Sequence, residues 1–144
     1  MNTLKLLRSY NKLLYTLNNE VSSAELEALP RGISYDNIGG SHGQAVSQIE
    51  KAFIKVDEAL TRVIVIKQTR DRLAEEVKRA AYKSSVTERE YLVCKMLYLE
   101  TKASGKPYSW DDLIREMSRI YKVKERQVYN YHNSLCNKIL NILE

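Results

Sequence analysis

Ser109-Trp110-Asp111-Asp112-Leu113-Ile114, followed after one further helical turn or two by Lys122-Val123-Lys124-Glu125-Arg126-Gln127-Val128-Tyr129-Asn130, is the stretch on which the fold turns. Ser109 has the hydroxyl of a helix N-cap, and Asp111 and Asp112 suit the positive end of the helix dipole. Leu113, Ile114, Met117, Ile120 and Tyr121 then recur at steps of three and four, the apolar side of an amphipathic helix. Lys122-Val123-Lys124 is a short turn. A last helix is predicted from Glu125 to about Leu143, with Val128, Tyr131, Leu135, Ile139 and Ile142 as its buried stripe and Cys136 alongside. Upstream, Thr87-Glu88-Arg89-Glu90 spells a capping box. Tyr91, Val93, Cys94, Leu97 and Tyr98 line the helix it opens, which ends near Thr101 before a turn at Lys102 to Pro107. Three short helices, the last two joined by a tight turn, describe a helix-turn-helix unit over 83–144.

Working outward, residues 1–82 read as a helical arm. Helix is expected over 2–29, where Leu6, Leu7, Tyr10, Leu13, Leu14, Leu17 and Val21 form one stripe, with Ser22-Ser23 as a point of interruption. A loop follows over 30–43 and holds four of the five glycines. Its Gly39-Gly40-Ser41-His42-Gly43 has no following Lys-Ser/Thr and does not match a phosphate-cradling loop. Ile33-Ser34-Tyr35-Asp36 within it offers an apolar pair to tuck against the helices. Residues 44–82 contain neither Pro nor Gly. Ile49, Phe53, Val56, Leu60, Val63, Ile66, Leu73 and Val77 fall at coiled-coil spacing there, with Ala80 beyond them and Arg70 interrupting the seam. Such a helix is roughly 60 Å long at 1.5 Å per residue. A seam of that length needs cover, either from the first helix alone, as an intramolecular hairpin, or from a second copy of the chain. The expected class is all-α: a helical hairpin or coiled-coil arm carrying a three-helix unit.

Composition narrows the function. At 144 residues, 44% hydrophobic and 28% charged, the chain is neither a disordered tail nor a two-lobed enzyme. No apolar run approaches the ~20 residues of a membrane span, and Met1 to Arg8 lacks the apolar core of a signal peptide. Cys94 and Cys136 sit far apart inside apolar helical patterns, so both are expected to be reduced core residues of a cytosolic protein. The two histidines, His42 and His132, have no Cys or carboxylate at metal spacing, so no metal, cofactor or catalytic site is expected. His132 is expected to be a partly buried hydrogen-bonding side chain. Tyr82, Tyr91, Tyr98, Tyr121 and Tyr131 are expected near the core.

The net charge of +5 is mild, but it is unevenly spread. Arg119, Lys122, Lys124, Arg126 and Lys138 face a single acid, Glu125, between positions 119 and 138. With its stripe inward, the last helix turns Arg126, Gln127, Tyr129, Asn130 and Asn133 outward. Arg pairs bidentately with guanine, and Gln and Asn with adenine. Arg119, Lys122 and Lys124 suit phosphates, and Tyr129 suits a phosphate or a thymine methyl. The plainer alternative is a solvated polar face.

Tyr108-Ser109-Trp110-Asp111-Asp112-Leu113-Ile114 and Arg126-Gln127-Val128-Tyr129-Asn130-Tyr131-His132 resemble the helix-turn-helix at the end of bacterial sigma factors. They resemble still more the phage-encoded transcriptional activators of the RinA and ArpU type. Ile33-Ser34-Tyr35-Asp36, a Gly/Ser stretch and a long helix are similar to the way such proteins begin. The stretch between Ile114 and Val128 is longer than the sigma-like pattern, and no Gly occupies the turn. The resemblance implies a cytoplasmic regulator of phage late or packaging genes in a bacterial host, acting beside RNA polymerase. Two other functions stay open: a small terminase-like packaging subunit, and a coiled-coil adaptor or inhibitor that binds only protein.

Overall fold

The computed structural model describes the backbone of residues 2–28 and 42–143, with side chains at 2–23, 50, 51 and 53–143. The protein is all-α. Its helices are α1 (Thr3–Ala28), α2 (His42–Lys83), α3 (Glu88–Cys94, continued by one π turn over Lys95–Leu99), α4 (Trp110–Tyr121) and α5 (Glu125–Leu143). α1 runs through Ser22-Ser23 without a break. The expected loop over 30–43 lies, through residue 41, outside the described residues, as does Ile33-Ser34-Tyr35-Asp36; His42 and Gly43 already belong to α2. The expected capping box at Thr87 forms, and the expected N-cap at Ser109 proves to be a capping box as well. Thr87 Oγ1 accepts from the Glu90 amide at 3.2 Å, and Ser109 Oγ accepts from the Asp112 amide at 3.1 Å, each with the acid reaching back.

The chain divides into two compact units, residues 1–15 with 67–144, and residues 16–66. The division expected at 82/83 is therefore corrected. Its physical reason is the core of the first unit. Leu4 and Leu7 of α1 and Leu73, Ala74, Val77, Ala80 and Ala81 of α2 are buried in one cluster with Val93, Cys94, Leu97, Leu113, Met117, Val128, Leu135 and Ile139. Three short helices bury too little apolar surface by themselves, and the start of α1 and end of α2 complete their core.

A polar network joins the same pieces. The last carbonyls of a helix have no intrahelical donor. At the end of α3, Arg8 Nη1 donates to Leu97 O at 2.9 Å, Asn11 Nδ2 to Tyr98 O at 2.8 Å, and Arg70 Nη2 to Leu99 O. Arg70 Nε also donates to Asn11 Oδ1 at 2.8 Å, and Arg8 Nη2 to Tyr108 O at 2.9 Å. Asn11 is buried. Arg70 thus does not interrupt a seam; it satisfies α3.

In the second unit, Leu17, Val21 and Ala59 are buried, and Arg62 lies 4.0 Å from Glu20. Several stripe positions depart from expectation. Leu13, Tyr82, Tyr91, Ile120 and Ile142 are exposed. Leu4 and Asn11 take the inward places on α1.

Candidate nucleic-acid interface

The turn between α4 and α5 is built around Lys122, whose backbone is left-handed at φ 54°, ψ 37°. Its amide donates to Ser118 O at 3.0 Å, ending α4, and buried Val123 anchors the turn from within. Glycine is the usual occupant of such a position, since a Cβ there is strained. Lys124 N then donates to Gln127 Oε1 at 2.9 Å, which starts α5. Gln127, expected among the base readers, spends its acceptor on that cap.

α5 is held from three sides. Arg89 lies 4.8 Å over the Tyr121 ring and 5.7 Å from that of Tyr131, and donates to Tyr131 Oη at 2.6 Å. Lys138 Nζ meets Glu90 Oε1 at 2.7 Å. Burial opposes the charge of Glu90, but the bonds from Lys138 and Thr87 outweigh it and hold the carboxyl down at about 2. Third, an aromatic run leads inward from the surface. Tyr129 stacks on Trp110 at 4.9 Å between ring centroids, Trp110 meets His132 edge-on at 4.8 Å, and His132 Nε2 lies 2.5 Å from Tyr98 Oη. Burial lowers the His132 pKa, helped by Arg8, which favours the neutral ring. His132 is thus the partly buried, hydrogen-bonded side chain expected. Tyr129 also donates to Glu125 Oε1 at 3.4 Å, so its ring and hydroxyl are both engaged within the protein, although 42% of the residue is exposed.

The charges sort the same way. Arg119 forms a two-point ion pair with Glu116, Nε to Oε2 at 3.2 Å, and Lys138 is taken by Glu90. Among the described residues, Lys122, Lys124 and Arg126 are exposed and have no ion-pair partner. Asn130 and Asn133 are exposed too, and Asn137 and Asn141 continue their line. The same steps of four along the sequence reach Asn137 and Asn141 from Asn133. Glu125 and Asp111 are the acids that act on Tyr129 beside this patch.

Burial pushes the Cys94 thiol up to about 12, and Cys136 is raised as well. Among the described residues no three His, Cys, Asp or Glu side chains gather at metal-binding distance. No helix of the described residues is long and apolar enough to cross a membrane.

The expected oligomer positions split. Leu73 and Val77 are buried in the chain's own core, Val77 completely, which removes them from any interface. The side chain of Ile49 lies outside the described residues. Val56, Val63 and Ile66 are half-buried, and Phe53 and Leu60 are exposed, Phe53 at 57%. Ile54, Ile64 and Val65 of α2 are exposed as well. Comparisons with protein-family models, curated proteins and solved structures find no match to this chain.

Proposed function

We propose that the chain is a sequence-specific double-stranded-DNA-binding transcriptional regulator, with α4 and α5 as its helix-turn-helix and α5 in the major groove. The observation that carries this is the outer surface of α5 and its turn. Three unpaired cations, Lys122, Lys124 and Arg126, lead into a face of uncharged, unengaged amides on a rigidly held helix. Lys122 and Lys124 contact phosphates, supplying affinity, while Arg126, Asn130 and Asn133 contact base edges. In this reading Arg119, Gln127 and Tyr129 support the turn and helix rather than touch DNA.

Self-association belongs to the same proposal. The apolar side chains at 53, 54, 60, 64 and 65 are covered by a second copy, giving two reading heads per assembly. The chain performs no covalent chemistry. The resemblance to phage activators extends the proposal to late or packaging genes of a phage or prophage, read in the bacterial cytoplasm beside RNA polymerase.

Equilibrium binding to duplexes selected from the source genome, and to scrambled versions of them, tests this. Affinity falls steeply with salt. Lys122→Ala and Lys124→Ala weaken every sequence alike and each lower the salt slope by about one, whereas Arg126→Ala relaxes preference at one position. Equal affinity for selected and scrambled duplexes, with all three substitutions silent, refutes it. Light scattering on the free protein separates a dimer from a ring of many chains, which would fit a packaging subunit instead.

A further inference from the structure

α5 carries an unusual composition on its outer face. Arg126, Asn130, Asn133 and Asn137 recur at steps of four, three and four. At 100° per residue they fall within about 60° of the helix circumference. That arc lies opposite buried Val128, Leu135 and Ile139. All four are exposed, and none forms a side-chain hydrogen bond or ion pair with another described residue. Asn is a weak helix former, whereas a face that only meets water is served better by Glu, Lys, Gln or Ala. Three asparagines in line, with no local bond to make, are therefore not explained by helix stability or solvation.

Their chemistry is specific. An Asn amide offers a donor and an acceptor side by side, the complement of adenine in the major groove: Oδ1 accepts from the N6 amino group while Nδ2 donates to N7. The guanidinium of Arg126 matches guanine O6 and N7 in the same way. One methylene separates each amide from the backbone, so the groups act only when the helix axis lies close to the base edges. Arg126 to Asn137 spans about 16 Å at 1.5 Å per residue, the length of about five base pairs at 3.4 Å each.

We infer that the α5 face Arg126-Asn130-Asn133-Asn137 recognises an adenine-rich half-site of about five base pairs, with one guanine at the end nearest the turn. This rests on the reading of α5 as a DNA-recognition helix and adds Asn137 to it. Gln127 and Tyr129, tied to the cap and to Trp110, take no part. The asparagines are uncharged, so they contribute preference and not salt-dependent affinity.

The test selects duplexes from a randomised pool with the full-length chain, then replaces each adenine of the winning half-site by 7-deazaadenine, which keeps its pairing with thymine but lacks the N7 acceptor. Each contacted adenine so replaced lowers affinity by about two- to tenfold, the range of the one hydrogen bond of the bidentate pair that is lost. Asn130→Ala, Asn133→Ala and Asn137→Ala each erase preference at one position, leave the salt slope unchanged, and do not lower Tm. Half-sites without adenine, or indifference to 7-deazaadenine while sequence preference persists, overturn this inference and leave the DNA-binding reading standing. A chain with no duplex preference, or one that selects RNA or protein instead, overturns both.

Discussion

Residues 1–15 with 67–144 and residues 16–66 solve the same problem, burying an apolar face, in different ways. The first unit closes on itself. Leu97, Leu113, Leu135 and Ile139 are fully or almost fully buried, and the last carbonyls of α3 are each given a donor from α1 or α2. The second buries Leu17, Val21 and Ala59 among its described side chains and leaves Phe53, Ile54, Leu60, Ile64 and Val65 40–57% exposed. A closed core fixes the surface above it, which suits α5 to present side chains in one register. An open apolar surface has its energy still to be gained from a partner.

Leu97→Ala breaks the comparison most severely. It leaves a cavity under α3 and costs about 2–5 kcal/mol, seen as a lower midpoint in urea unfolding. Leu60→Ala, the same change on the open surface, leaves the dilute chain within about 0.5 kcal/mol of the parent. Equal losses would show that the two regions are packed alike. Arg70→Ala strips donors from Leu99 O and Asn11 Oδ1, at about 1–3 kcal/mol for a buried group left unpaired. Hydrogen exchange then accelerates at the end of α3 before it does in α5.

Glu90→Gln removes a charge-assisted bond to Lys138 and costs about 1–2 kcal/mol at neutral pH. The sign of its pH dependence follows from the lowered pKa. The contribution is complete above the ordinary carboxyl value of 4.5 and is lost as pH falls toward about 2. The variant therefore shows a shallower loss of stability across that window. Phe53→Ser with Ile64→Ser leaves Tm at low concentration unchanged but weakens self-association at least about tenfold, or ~1.4 kcal/mol, by sedimentation. Lys122→Gly has the smallest effect. Relief of the left-handed strain outweighs the flexibility of glycine by at most about 1 kcal/mol, so Tm rises slightly while DNA affinity falls through the lost cation.

What was legible in the sequence was local. The capping box at Thr87, the N-cap at Ser109, the turn at Lys122 to Lys124 and the span of α5 need only neighbours along the chain. Distant pairings were not legible. Heptad spacing states that Leu73 and Val77 are covered, not by what, and the cover is the chain's own core rather than a second copy. Arg8 and Asn11 were silent, because a polar residue on an apolar stripe does not name the carbonyl it serves. Arg70 was visible only as an interruption. On the candidate interface, residue type pointed to Arg126, Asn130 and Asn133 as the unengaged groups the structure presents. It did not reveal that Gln127, Tyr129 and Arg119 are engaged by Lys124, Trp110 and Glu116.

The most direct test is a titration of the isotopically labelled full-length chain with its selected duplex, followed by amide chemical shifts. Shifts concentrated on Lys122 to Asn137, with the side-chain amides of Asn130, Asn133 and Asn137 among the largest, are the expected result. Shifts confined to residues 53–65, or none at all, would contradict the assignment of α5 as the surface that reads DNA.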